Sequence, residues 1–99
     1  SSSDLLVQAR AYCLIGDAHL EQKNYADAEK FYSKAADYYP NERFTPAYLM
    51  KLGLAQELNN NLSEAIGTYD RIITKYPNAS DVMEAKKAKA KLEAATGAE

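Results

Sequence analysis

His19 and Cys13 are the side chains best suited to general-base or nucleophilic chemistry, and each occurs once in the 99 residues. No Ser or Cys nucleophile with a supporting acid can be argued beside His19, so it reads as a histidine at a helix interface. Cys13 has no obvious activating partner and reads as a small apolar filler. One cysteine allows no internal disulfide, no Cys/His metal cluster and no redox pair. The four glycines, Gly16, Gly53, Gly67 and Gly97, are dispersed, and none stands in a phosphate-cradling loop. The chemistry-bearing residues therefore predict no catalysis, no metal and no cofactor.

Two other groups of residues invite a binding role. The eight tyrosines suggest stacking on a base or a sugar. Yet Tyr12, Tyr32 and Tyr69 recur at positions that fill helix-hairpin interiors, and Tyr39 and Tyr76 precede prolines, so packing accounts for them better. Lys86, Lys87, Lys89 and Lys91 form the strongest charge run, with Val82, Ala85 and Leu92 supplying an apolar side. That reads as the solvated face of a terminal helix, the alternative being a basic patch for anionic lipid or an acidic partner. Twelve basic and fourteen acidic side chains give a net charge of −2, which favours neither nucleic acid nor an anionic membrane. No apolar run approaches the roughly 20 residues of a membrane span. The opening SSSDLL, without an initiator Met, reads as the start of a piece of a longer protein.

The elements that position these residues are written twice. At an offset of 37, Gly16 meets Gly53, Ala18 meets Ala55, Asn24 meets Asn61, Ala28 meets Ala65 and Tyr32 meets Tyr69; Tyr39-Pro40-Asn41 meets Tyr76-Pro77-Asn78. Each unit reads as two helices. In the first, Leu5, Tyr12, Ile15 and Ala18 recur at helical spacing through Lys23. Asn24 with Asp27 then suggests a capping box, Ala28, Phe31, Tyr32 and Ala35 give one apolar stripe, and Pro40 stops the helix. The second unit begins at Thr45-Pro46, a cap followed by proline at the first helical position. Asn61 with Glu64 repeats the capping pattern and Pro77 repeats the stop. Ser80 or Asp81 starts a fifth helix running towards Gly97.

The pattern Tyr12, Ile15, Gly16, His19, Ala28, Tyr32, Ala35, Pro40, and again Leu49, Leu52, Gly53, Gln56, Ala65, Tyr69, Ile72, Pro77, resembles the tetratricopeptide repeat. That resemblance implies an all-α solenoid of two antiparallel helix hairpins plus a terminal helix. Repeat 1 covers about residues 4–40, repeat 2 about 46–77 and the terminal helix about 81–96. Two departures stand out. The period is longer than the usual roughly 34 residues, with the extra residues in NERFTP, and Lys23 and Asn60 occupy turns where glycine is common. The wording from Tyr38 to Lys87 also resembles the C-terminal repeats of bacterial cell-envelope proteins, related to translocon-associated and Tol-Pal-associated repeat proteins. In those, a membrane-anchoring segment precedes the repeats, so any membrane attachment here would come from a segment outside this chain.

A stack of this kind presents a concave face lined by the first helix of each unit, and the resemblance implies that a protein or peptide binds there. In the second unit, Leu49, Leu52, Ala55 and Gln56 are expected to face their own hairpin partner. Ala47, Met50, Leu54 and Leu58 form a second stripe. That stripe either packs on adjacent first helices or floors a groove for an apolar peptide or partner helix. In the first unit the matching face holds Arg10, Cys13, Asp17, Leu20 and Glu21. Some relatives clamp a C-terminal carboxylate with Lys and Asn at the positions of Cys13 and Asp17, which this chain lacks. Its mixed face suits an internal peptide or partner surface. The alternative is self-association of a longer envelope protein as a homo-oligomer, through apolar surface at the N-terminal end of the stack.

Overall fold

The computed structural model describes residues 1–97 and contains five helices: α1 (Ser2–Glu21), α2 (Tyr25–Tyr38), α3 (Thr45–Leu58), α4 (Leu62–Lys75) and α5 (Val82–Thr96). No strand occurs among the described residues, and each helix packs on the next in sequence. The stack measures 44 × 32 × 15 Å between Cα atoms. Its core is lined by Ala28, Tyr32 and Ala35 of α2, Leu49, Leu52 and Ala55 of α3, and Ala65, Tyr69 and Ile72 of α4. None of these helices is long and apolar enough to cross a membrane.

Within each hairpin, the crossing is set by a glycine under an aromatic ring. Tyr32 lies over Gly16 and Tyr69 over Gly53, so close that a Cβ on either glycine would sit 2.6 Å from a ring carbon. Only a residue without a side chain lets the two helices approach this far. The hairpin turns are also copies. Lys23 and Asn60 take positive φ, 62° and 59°. The Asn24 amide reaches back to the His19 carbonyl as Asn61 does to Gln56, closing the same left-handed helix end twice. An L side chain in that region costs about 1–2 kcal/mol, less for Asn than for Lys.

The capping boxes expected at Asn24 and Asn61 do not form. Both residues stand at the N-cap of α2 and α4, but neither side chain caps the helix. The Asn24 side-chain Nδ2 donates instead to Gln22, and the Asn61 side-chain Nδ2 donates to Glu29 of the first hairpin at 2.7 Å. At Asn61 the side chain is turned towards the charged Glu29 carboxylate, and a hydrogen bond to a charged group is worth more than one between neutral groups. The start of α3 differs too. Thr45 is already helical and fully buried, with Phe44 before it and Pro46 within the first turn. No side chain caps α3, but Asn41 braces the turn before it: its side-chain oxygen accepts the Phe44 backbone N–H while the Thr45 hydroxyl accepts the Asn41 backbone N–H, both at 2.8 Å. The longer NERFTP connection is thus a braced turn.

The faces of the first helices are shown by α5, which has only α4 to pack on. It buries Ala85 and Leu92, and the 37-residue offset matches these to Tyr48 and Ala55 of α3. In α3, therefore, Tyr48, Leu52 and Ala55 face the preceding hairpin, and the expectation that Leu52 and Ala55 face their own partner helix is corrected. The same offset carries Leu52 back to Ile15, in the first of the two described hairpins. Leu52 is 6% exposed and Ile15 41%. Of the residues that recur at helical spacing in α1, Leu5, Ile15 and Ala18 are exposed and only Tyr12 packs against the core, whereas Ala9, Cys13 and Gly16 are buried. On α5, Lys86 and Ala90 stand where α3 has Leu49 and Gly53, and both are exposed.

Candidate functional site

α1 and α3 present their matching faces side by side and are tied by a charged network. Asp17 accepts hydrogen bonds from Lys51 of α3 at 2.8 Å and from the hydroxyl of buried Tyr32 of α2 at 2.5 Å. Burial alone would raise the Asp17 carboxyl. The Lys51 and Tyr32 hydrogen bonds and the positive charges of Lys51 and Arg10 outweigh it and hold the group below its ordinary value. Tyr32 responds in the opposite sense. Burial, then the hydrogen bond to Asp17, pushes its phenol well above the ordinary range. In the second hairpin the Tyr69 hydroxyl donates to Glu57, and burial followed by that bond raises it likewise.

The nine residues expected on the concave face divide into four sets. Asp17 is engaged as described, and Cys13 is buried beside it. Burial, with Asp17 adding to it, pushes the Cys13 thiol up, which keeps it protonated at neutral pH and unsuited to nucleophilic attack. Leu20 and Met50 are half-buried and pack against the core, whereas Arg10, Glu21 and Ala47 are exposed. Leu54 and Leu58 stay 45% and 46% exposed on a helix whose other faces are covered. The structure brings Arg10 close to Phe44 and Tyr48 around a cavity between α1 and α3.

Sequence reading missed Lys51, Arg43, Tyr48 and Glu29. Lys51 carried a signal, since the 37-residue offset aligns it with the apolar Leu14. Glu29 carried none: it gathers the Asn59 and Asn61 side chains at 2.6 and 2.7 Å from thirty residues away. Across the stack, Arg71 of α4 pairs with Asp37 of α2 at 2.8 Å, and Lys89 of α5 with Asp70 of α4 at 2.7 Å. The hydrogen bond it donates to Asp70 holds the Lys89 ammonium above its usual value, and one member of the basic run is thereby engaged in the fold.

His19 lies at the α1–α2 interface, its ring stacked on Phe31 with centroids 5.5 Å apart and planes at 16°. Its Nδ1 is buried without a hydrogen-bond partner. The aligned pair in the second hairpin, Gln56 and Thr68, is hydrogen-bonded at 2.6 Å. One repeat position thus serves as an aromatic stack in one hairpin and a polar clasp in the next. Among the described residues, no group of three or more His, Cys, Asp or Glu side chains could hold a metal ion.

No curated protein and no solved structure gives a significant match to the chain. Models of the tetratricopeptide repeat match residues 9–42 and residues 47–79. These segments hold both glycine-under-tyrosine crossings and both proline stops. The chain belongs to the tetratricopeptide repeat family.

Proposed function

We propose that the chain is a non-catalytic scaffold that binds a peptide or a partner helix along the face formed by α1 and α3. The observation that carries this reading is the exposure of Leu54 and Leu58, 45% and 46%. They follow Ala47 and Met50 at helical spacing, and Lys51 on the same helix is paired with Asp17 of α1. An apolar strip with a polar margin is the form in which an amphipathic segment is recognised. Tetratricopeptide repeats generally mediate protein–protein interactions, which supports the same conclusion. The wording shared with bacterial envelope repeat proteins adds the proposal that the partner is met in the cell envelope.

Leu54→Glu tests this directly, because the residue is half exposed and outside the core. Capture of the physiological partner by the immobilised protein should fall at least tenfold, a loss of about 1.4 kcal/mol or more. The helical CD signal and melting temperature should change little. Unchanged capture overturns the reading, and so does loss of capture accompanied by unfolding.

A second reading, self-association through the N-terminal end of the stack, is favoured by one observation. Ile15 is 41% exposed at the position where Leu52 is covered by a preceding hairpin. Tyr12, Phe31 and Tyr38 cluster on the same hairpin, with ring centroids 6.4 and 5.7 Å apart. Sedimentation equilibrium should then show a dimer that Ile15→Lys returns to monomer. A monomer at every concentration sinks this alternative.

A further inference from the structure

Between the N-terminal halves of α1 and α3 lies a cavity of about 300 Å³. Leu6 and Val7 of α1, with Phe44 and Tyr48 at the start of α3, give it apolar walls, and Arg10 and Arg43 border it. The Arg43 guanidinium lies 5.0 Å from the centroid of the Phe44 ring. Neither arginine forms an ion pair among the described residues, although Lys51, Arg71 and Lys89 have each found an aspartate. No acidic side chain lines the cavity; Glu42 lines the neighbouring cleft with Tyr76 and Asn78, and Arg43 borders both spaces. The Tyr48 hydroxyl makes no hydrogen bond to the described residues.

We infer that this cavity anchors the partner through a side-chain carboxylate next to a bulky apolar residue. The apolar side chain fills the space over Phe44 and Tyr48, and the aspartate or glutamate beside it takes the two guanidinium groups. The volume is at the small end for a ligand pocket and suits one large side chain. Two unpaired arginines around an apolar floor match an anion held against an apolar group, because a guanidinium binds carboxylate through a fork of donors. Cavity-lining Tyr48 lies on α3 between Ala47 and Met50, so a segment leaving the cavity along α3 meets the stripe that continues to Leu54. The proposal rests on the α1–α3 face being the binding face, and it specifies the chemistry the partner brings to one end of that face.

The test uses the whole ¹⁵N-labelled chain and an acetylated, C-terminally amidated hexapeptide with one glutamate followed by one phenylalanine among glycines and serines. Shift changes should concentrate on the amides of Leu6, Val7, Phe44 and Tyr48 and the Nε–H groups of Arg10 and Arg43. Replacing the peptide glutamate by glutamine, or combining Arg10→Ala with Arg43→Ala, should raise Kd about tenfold or more. Both arginines are exposed, so the variants should keep the native helical spectrum; Arg10→Gln with Arg43→Gln serves if they do not. The inference is overturned by scattered shifts, by equal binding of the glutamine peptide, or by no shift at about 5 mM peptide. Binding only when the peptide keeps a free C-terminal carboxylate overturns it as well. Leu54→Glu separates the two claims. If it leaves partner capture intact while the peptide still maps to the cavity, the extended groove is wrong and the cavity stands. If it abolishes capture while the peptide fails to bind, the groove stands and the anchor is wrong.

Discussion

Gly53→Ala should lower the melting temperature by several degrees, up to about 20 °C, and Gly16→Ala should do the same. In a helix interior, glycine to alanine ordinarily gains about 0.5–1 kcal/mol. Here the new Cβ would lie 2.6 Å from Cε1 and Cζ of Tyr69, or from Cδ1 of Tyr32 at Gly16. The rings cannot step aside, because both are buried and their hydroxyls are held by Glu57 and Asp17. Forcing atoms into such a core costs about 1–3 kcal/mol, sometimes more, and in a domain of this size each kcal/mol moves the midpoint by about 4–8 °C. Gly67 supplies the control. It lies within α4 with nothing within 4 Å of a Cβ, so Gly67→Ala should raise the midpoint by a few degrees. Thermal CD of the three variants decides the matter; destabilisation by Gly67→Ala, or none by Gly53→Ala, would contradict the packing account.

Alkaline pH should unfold the chain through the same tyrosines. Tyr32, Tyr48 and Tyr69 have phenols raised by burial, and Tyr32 and Tyr69 are raised further by hydrogen bonds to carboxylates. In the unfolded chain a tyrosine ionises near about 10. Above that pH the unfolded state has released protons that the folded state still holds, so stability falls as pH rises. The loss is about 1.4 kcal/mol per pH unit for each such tyrosine, until the folded group itself ionises. Urea midpoints should be flat towards neutrality and drop steeply above about pH 10. Tyr32→Phe should reduce that slope. A slope unchanged in Tyr32→Phe would mean that other groups drive the alkaline transition.

The division between what sequence revealed and what it hid follows the range of the interactions. Gly16, Gly53, Ala28, Ala65 and the two prolines act through steric demands of a helix crossing or a helix end, and such demands leave fixed residues at fixed spacing. The five helices were legible for that reason. Asn61 shows the limit. Its spacing from Glu64 matched a local cap, but the decisive partner was Glu29, whose carboxylate no local pattern could bring near. Ile15 and Leu52 show another: identical in repeat position and similar in chemistry, they differ in burial because one has a hairpin before it. The candidate face was legible as a set of positions. Its divided character was not, because the pairing of Asp17 with Lys51 and the closeness of Arg10 to Arg43 depend on how far one hairpin is turned against the other.

The outer side of α5 gives the stack a polarity. α3 accepts a partner helix by offering Leu49 for contact and Gly53 as the seat of a ring, whereas α5 offers Lys86 and Ala90 at those positions. A helix docking there would have to strip water from an ammonium group and would find a methyl group where the ring should lie. Ile15 and its neighbours at the opposite end impose neither penalty. A helix docking on the outer side of α5 thus meets a desolvation cost that one docking beside Ile15 does not, and the two ends of the described stack differ in chemical character.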